Sequence, residues 1–545
     1  MCGIFGITNF QSKLSLESLS KILSLQTHRG PDATGTWSDE NIFLGHNRLS
    51  IIDLDERSNQ PMISRCGNYA IVYNGEIYNY QEVKKKLDFK NWRTEGDTEV
   101  LLQGYIEMGA NILNELNGMF AFAVYHISER KLFVARDRVG IKPFYYVTKS
   151  ESFAFASELK PLVQLPFVSK NVNPSALSQY LTFQSTIAPQ TLIEDIKVLP
   201  SGCFGIFENN NWSISKYWSI SDRTKYLYKT KEDAQQEISS IFKDSVGLRM
   251  ISDVPVGAFL SGGIDSSLVV SQMASIGGSI VTTKSIGFKE AEYDETEIAQ
   301  VVANKYHTNH ERIELDSTTF AERIPNILSK MDSPSLDGVN TYLVSEAVKK
   351  SGITVALSGL GGDELFAGYS YHRLFKRFRQ LHIALSPIGH LLSPFTSLFK
   401  NSRYRKLIES AANSTDTDKL YASLRSVFSK NEVNQLTGQI SPVEFREKEL
   451  DQFPYYSQFG ALDMLGYTQN VLLKDTDQMS MQHALEVRVP FFDYRLIEAS
   501  MSIPDSWKFD GKRNKSFLLD SFEGQLPTEV FNRKKWDLCY LMING

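Results

Sequence analysis

Val254-Pro255-Val256-Gly257-Ala258-Phe259-Leu260 runs straight into Ser261-Gly262-Gly263-Ile264-Asp265-Ser266-Ser267, a junction that points to the architecture of the whole second half. An apolar run of strand type meets a Ser/Gly loop, and the loop opens the helical pattern DSSLVVSQMAS. The same alternation continues downstream through the strand IVTTKSIGF, the helix ETEIAQVVANKY, the strand HERIEL, helices to Val348 and the strand ITVALSG. Strand followed by helix, repeated, predicts a doubly wound parallel sheet with ligands at the carboxyl ends of its strands. An amphipathic helix near Glu232 to Met250 precedes this region, and from Tyr369 onward the sequence reads as helices.

Upstream the pattern is different. Short β-rich runs (CGIFGIT, NIFLGHNRLSIID, YAIVYNGEIYN, MFAFAVYHI, KLFVARD, SFAFAS) are separated by turn residues, with helical patterns only around Leu16 to Gln26 and Asp97 to Met108. Packed sheets with helices outside are expected there. The polar segment from about Ile220 to Lys231 separates the two patterns, which predicts domains at 1–215 and 230–545.

A chain of 545 residues is long enough for two or more cores at roughly 150 residues per domain. With 42% hydrophobic and 22% charged residues it is neither largely disordered nor collagen-like. The 58 basic and 63 acidic residues leave a charge of −5, too near neutral to gather polyanions, so nucleic acid is not the expected partner. Cys2, Cys66, Cys203 and Cys539 show no CxxC spacing, which argues against a disulfide scaffold or a zinc cluster and fits a reducing cytoplasm. MCGIFGITNF has no basic segment before an apolar run. Leu381 to Phe399 is uncharged but broken by Pro387, Gly389 and Pro394, so a buried or interfacial helix is expected and a membrane span is not.

Two constellations carry chemistry. Cys2 sits between the initiator methionine and a glycine, a context in which methionine removal is expected. An N-terminal cysteine joins a strong nucleophile to its own base, because a free α-amino group with a pKa of about 7.7 to 8.0 can take the thiol proton. Alone, Cys2 is equally a chance cysteine in a strand. Asn74-Gly75 lies between two strand-like runs, by default a hairpin turn, yet an Asn side chain beside a Gly N–H also offers two donors to an oxyanion. Arg48 could clamp a carboxylate, and Glu76 and Asp97 could hold an α-ammonium.

The motifs MCGIFG, HRGPD, RLSIID, YNGEIYN, GMFAFAVY and ARDRVGIKPFYY resemble, in order and spacing, the class II glutamine amidotransferase domain of the N-terminal nucleophile hydrolases. The resemblance implies an αββα sandwich that hydrolyses glutamine to glutamate and ammonia at Cys2. It implies an oxyanion hole from Asn74 and Gly75, and glutamine binding by Arg48, the Ile51 backbone, Asn74, Gly75, Glu76 and Asp97.

The second constellation is the loop Ser261 to Ser267, whose unpaired N–H groups at a helix start form a phosphate cradle. No GxxxxGK[ST] string occurs, which disfavours a P-loop enzyme. A second glycine turn, Ser358-Gly359-Leu360-Gly361-Gly362-Asp363-Glu364, follows the strand ITVAL. Strand ends of a parallel sheet meet on one edge, so Asp265 and Asp363 can converge as oxygen ligands for Mg²⁺, although either could be only a helix cap.

SGGxDS after a strand resembles the pyrophosphate loop of the ATP pyrophosphatase group. ALSGLGGDELFAGY, LKDTDQMSMQHALEVRVPFFD and RKKW resemble the synthetase domain of the asparagine synthetase family. This implies a doubly wound sheet with extra helices, ATP and Mg²⁺ as cofactors, and ammonia attack on an adenylated carboxylate, aspartate in the family case. Leu260, Ser261, Gly262, Gly263, Asp265, Ser266, Ile286, Ser358 and Gly359 would surround ATP, and Lys535 would lie near the departing phosphates. Ammonium is no nucleophile, so a sealed path between the sites is expected. AFAVYHI and the helices after Tyr455 could line that path or be ordinary core.

Leu360 departs from the resemblance, since relatives of the well-known type carry an acid there. Either Glu364 or another group substitutes, or the attack needs no base, or the acceptor is another carboxylate. Ser333 to Asn340 resembles a surface-polysaccharide subgroup whose acceptor is a uronic acid. The expected partners are therefore glutamine, ATP and a carboxylate. A homodimer is also allowed, as is, from another class, a non-catalytic scaffold.

Overall fold

The structure is a computed structural model. It describes residues 1–531 except 12–13, 150, 222–227, 279, 289–295, 316, 370, 373–386, 392–393, 396–401, 414–415 and 439–447. Lys535, Cys539, most of the stretch from Leu381 to Phe399 and half of the polar segment at 220–231 fall outside those residues. Among the described residues no helix is long and apolar enough to cross a membrane.

Residues 1–216 build two antiparallel six-stranded sheets. The first places Gly3–Thr8 between Ser152–Ala156 and Ile42–Arg48, and the second places Gly118–His126 between Lys131–Arg136 and Tyr69–Ile77. Alternation along each strand sorts its side chains. Ile4 and Leu44 of the first sheet meet Val72, Ala123 and Val134 of the second in the layer between them. Phe5, Ile7 and Phe43 turn outward onto Leu19, Ile22 and Leu23 of the helix Leu16–Ser24. Ile71, Tyr73 and Phe122 turn outward onto Val100, Leu101 and Leu102 of the helix Asp97–Met108. The period of two thus gives four layers, αββα, as expected.

The second half holds a five-stranded parallel sheet in the order Asn309–Leu315, Thr282–Phe288, Val256–Phe259, Val355–Leu357, Glu486–Arg488. The chain moves outward on one side of Val256–Phe259, then returns to the other side. The turns after Val256–Phe259 and Val355–Leu357 are therefore neighbours at the switch point, where a crevice opens in such sheets.

Two expectations need correction. Residues beyond Tyr369 were expected to be helical, yet Glu486–Arg488 forms the fifth strand, paired in register with Val355–Leu357. Its Glu-Val-Arg pattern carries charges where a buried strand ordinarily carries none, and only a partner set of opposite charges makes that possible. Asn74-Gly75 is not a hairpin turn but lies inside the strand Tyr69–Ile77. A Cβ on Gly75 would come within 2.2 Å of the Met119 carbonyl, so glycine is required there by close approach of the neighbouring strand.

The halves share one core. Met1, Leu49, Ile51, Met119, Val139 and Ile141 pack in the same cluster as Phe242, Phe491 and Leu496. Buried polar contacts fasten it: Asp493 accepts from Asn117 at 3.0 Å and pairs with Arg249 at 3.1 Å and Arg495 at 2.9 Å. Burial works against the charge of Asp493, but Arg249 and Arg495 outweigh it and hold its carboxyl far below the usual range. Asp493→Ala leaves Arg249 buried without that counter-charge, a change that typically costs about 3–5 kcal/mol. A clear fall in Tm in a thermal melt is expected; an unchanged melt would contradict this account of the interface.

Candidate active sites

Cys2 lies one residue before the strand Gly3–Thr8 and is 7% exposed. Its backbone N–H donates to Asn74 Oδ1 at 2.9 Å, and its Sγ lies 4.0 Å from the Leu49 carbonyl. Asn74 Nδ2 is buried and has no hydrogen-bond partner among the described residues, which leaves one donor of the Cys2-bound side chain uncommitted there. Burial pushes the Cys2 thiol up, and the chain's terminal amine, a backbone hydrogen bond with Leu49 and Arg48 pull it back.

A small cavity of about 30 Å³ joins Cys2 to Arg48, Ile51, Gly75, Glu76 and Asp97, so the expected residues do assemble. Met1 and Glu486 also line it, and the Met1 amine sits 3.1 Å from Glu486 Oε2 with both groups fully buried. Two details differ from the simple reading. Arg48 already binds the carbonyls of Asp53 and Asp55 and the side chain of Asn59, so it shapes the 52–59 loop as well as facing the cavity. Asp97 accepts from the Tyr73 hydroxyl at 2.8 Å and the Ile77 N–H at 2.9 Å. Burial raises both Glu76 and Asp97, and Arg488 offsets part of that for Glu76 from 3.3 Å.

The second site is a cavity of about 680 Å³ at the switch point of the parallel sheet. Ser261, Gly263, Asp265 and Ser266 line it from one turn, and Ser358, Gly359, Leu360, Asp363 and Glu364 line it from the other. Gly263 caps the helix Ile264–Ile276, whose N–H groups open on the cavity. The turns touch: a Cβ on Gly359 would lie 2.6 Å from the Ser266 N, and one on Gly362 would lie 2.3 Å from Asp265 Oδ1. Leu260 is buried at the end of its strand and Ile286 sits on the adjacent strand; neither reaches this cavity wall.

Asp265 and Asp363 converge on one cation, Lys515, at 2.5 and 2.8 Å. Burial disfavours the Lys515 charge, but the two carboxylates outweigh it and raise the lysine above its ordinary value. Glu364, 2% exposed, accepts from the Tyr369 hydroxyl at 3.0 Å and the Thr468 hydroxyl at 3.1 Å. Burial, then Asp363 and Asp463, push it up to about 7. Leu360 lies across the same wall and offers no proton acceptor.

Residues 1–218 match the glutamine amidotransferase domain family, and residues 237–540 match the asparagine synthase family. The chain belongs to the asparagine synthase family. Asparagine synthetase [glutamine-hydrolyzing] 1 of Bacillus subtilis (strain 168) is 33% identical, over 98% of this chain and 86% of that protein. Asparagine synthetase [glutamine-hydrolyzing] 3 of the same organism is 30% identical over the same shares. Membership makes the chain a carbon–nitrogen ligase with an amide nitrogen donor and a user of ATP.

The geometry also brings out residues that the sequence did not point to. Lys512, Arg513 and Lys515 line the large cavity, and their signal was present: three cations within four residues directly after Gly511. Glu486 and Arg488 were missed because the resemblance marked their segment without indicating where it lay. At the turn contact a test is direct. Gly359→Ala forces the two loops apart, so ATP binding measured by calorimetry should weaken by at least roughly tenfold, about 1.4 kcal/mol. Glutamine hydrolysis should persist, and unchanged ATP affinity would show that the turns need not touch.

Proposed function

We propose that the chain makes asparagine from aspartate, using glutamine as nitrogen source and ATP as activator. The observation that carries this reading is the pair of cavities in one core, one holding a thiol beside an uncommitted amide donor and the other holding two abutting phosphate-type turns. On this reading residues 1–215 are the glutaminase and 230–545 the synthetase.

In the glutaminase half, removal of Met1 leaves Cys2 as the first residue. Its α-amine, beside Asn74 Oδ1, takes the thiol proton and the sulfur attacks the glutamine amide carbon. The Asn74 Nδ2 and the Gly75 N–H meet the oxyanion, while Arg48, the Ile51 backbone, Glu76 and Asp97 hold the amino-acid end. Ammonia leaves and water then releases glutamate. The neutral ammonia crosses the buried interface, where protonation is disfavoured by the apolar surroundings.

In the synthetase half, Ser261, Gly262, Gly263, Ser266, Ser358 and Gly359 cradle the phosphates of ATP, with Lys512, Arg513 and Lys515 near the departing pyrophosphate. Contacts of Leu260 and Ile286 with the nucleotide, and a role for Lys535 near the pyrophosphate, rest on the family resemblance alone. The aspartate carboxylate attacks the α-phosphorus and pyrophosphate leaves. Ammonia then displaces AMP from the acyl carbon. The donor set suits Mg²⁺: Asp265 and Asp363 are two hard oxygen ligands on facing turns, and they already hold a positive charge between them. Bound there, Mg²⁺ would neutralise charge on the phosphate oxygens. Cytoplasmic residence follows from substrates that are metabolites of that compartment, and sedimentation would check association as a homodimer.

Cys2→Ala should abolish glutamine-dependent asparagine formation and spare synthesis from added ammonium, read by product mass. Equal loss of both would refute the division of labour. Asn74→Ala should lower glutamine hydrolysis by about 10²- to 10³-fold, the usual cost of one oxyanion donor. Asp265→Asn and Asp363→Asn should remove synthesis from either nitrogen source while glutamine hydrolysis continues, and synthesis surviving both changes would sink the metal assignment.

A further inference from the structure

Arg29, in the short helical turn Thr27–Arg29, is fully buried and unused by the mechanism above. Its Nε donates to the Cys2 carbonyl at 3.0 Å, so it holds the backbone of the nucleophile directly. Its Nη1 reaches Glu158 at 3.3 Å in the same half, but its Nη2 makes the shorter bond, 2.7 Å, to Asp477 of the other half. Asp477 is 3% exposed, and its second oxygen pairs with Lys142 at 3.1 Å, so both carboxylate oxygens are committed to the glutaminase half. Burial works against the charge of Asp477, and Arg29 and Lys142 outweigh it and hold its carboxyl below the usual range.

The other side of Asp477 is equally placed. It lies on the helix Leu473–Met481, and its neighbour Thr476 lines the synthetase cavity together with Leu472 just before the helix. A single helical turn therefore presents one residue to the acceptor cavity and the next to the guanidinium that fixes Cys2. A buried helix moves as a unit, because a close-packed interior does not absorb displacement locally. The partners are few and charged, so a shift of the carboxylate is felt by Arg29.

We propose that Asp477 is a positioning residue that orients Cys2 through Arg29 and makes glutamine hydrolysis respond to occupancy of the synthetase cavity. This rests on the reading of the two sites just given. Ligands that settle against Thr476 move or stiffen the helix, the Asp477–Arg29 bond follows, and the Cys2 carbonyl is held in or out of the geometry for attack.

The test uses the full chain. In the unaltered protein, glutamine hydrolysis is measured with and without ATP plus aspartate, and the ratio of the two rates reports coupling. Asp477→Asn keeps the shape but removes the charge. It should lower kcat for glutamine hydrolysis on the order of 10²-fold, as small misplacements of reacting groups do, with KM for glutamine unchanged, and should bring the ratio to one. Ammonium-dependent synthesis should persist, which also reports an intact fold. Arg29→Lys, a change in the other half, should reproduce the kcat loss, while Asp477→Glu should restore part of it. Wild-type kcat and ratio in Asp477→Asn, or equal loss of both activities in both variants, overturns the proposal. Cys2→Ala run alongside separates the failures: if it still hydrolyses glutamine the site reading is wrong, and if it is inert while Asp477→Asn is unaffected only the coupling is wrong.

Discussion

Arg488 is the charge on which the rest of the molecule leans. Its guanidinium meets Glu486 at 2.6 Å, Glu76 at 3.3 Å and the carbonyls of Arg249 and Ile251 at 2.9 and 2.6 Å. Its own carbonyl accepts the N–H of Ser358, the first residue of the second glycine turn, at 2.8 Å. One fully buried residue thus touches a wall of the thiol cavity with its side chain and the nucleotide-side turn with its backbone. Removing a charge from such a set leaves its partners without water or counter-ion, which makes the arrangement stiff rather than merely stable.

Much of this was legible in the sequence because it depends on local period and local turn chemistry. The strand-type runs GIFGIT and YAIVYN predicted packed sheets with helices outside, the resemblance implied the four layers, and the structure sets Ile4 and Val72 inward and Phe5 and Tyr73 outward. The Ser/Gly loop between VGAF and a helical pattern placed the phosphate-type turn, and parallel topology brought Asp363 to it. Cys2, Arg48, Ile51, Gly75, Glu76 and Asp97 were expected together and line one cavity.

What escaped is non-local. Glu486–Arg488 has no strand period to detect in three residues, and its charges argue against burial until their partners, 412 positions away for Arg488 and Glu76, are known. The Asn-Gly pair obeys the local rule for hairpins, but the backbone of Met119 beside Gly75 supplies a stronger reason for the glycine than any turn. Arg29 and Asp477 lie 448 positions apart and carry no sign of each other. Arg48 shows the converse: its residue type suggests a carboxylate clamp, but the carbonyls of Ile52, Asp53 and Asp55 and the Asn59 side chain share its guanidinium.

The shared core and the threaded charges bear on how such a protein could arise or be rebuilt. Had the halves met as smooth apolar faces, one ammonia-releasing module could be exchanged for another with little loss. Here the fifth strand of the parallel sheet carries ionic groups that reach into this particular neighbour, Glu486 to the Met1 amine and Arg488 to Glu76. A transplanted module would have to import Glu76, Lys142 and Arg29 at the right depths, so the two catalytic halves are expected to diverge in step rather than to be shuffled.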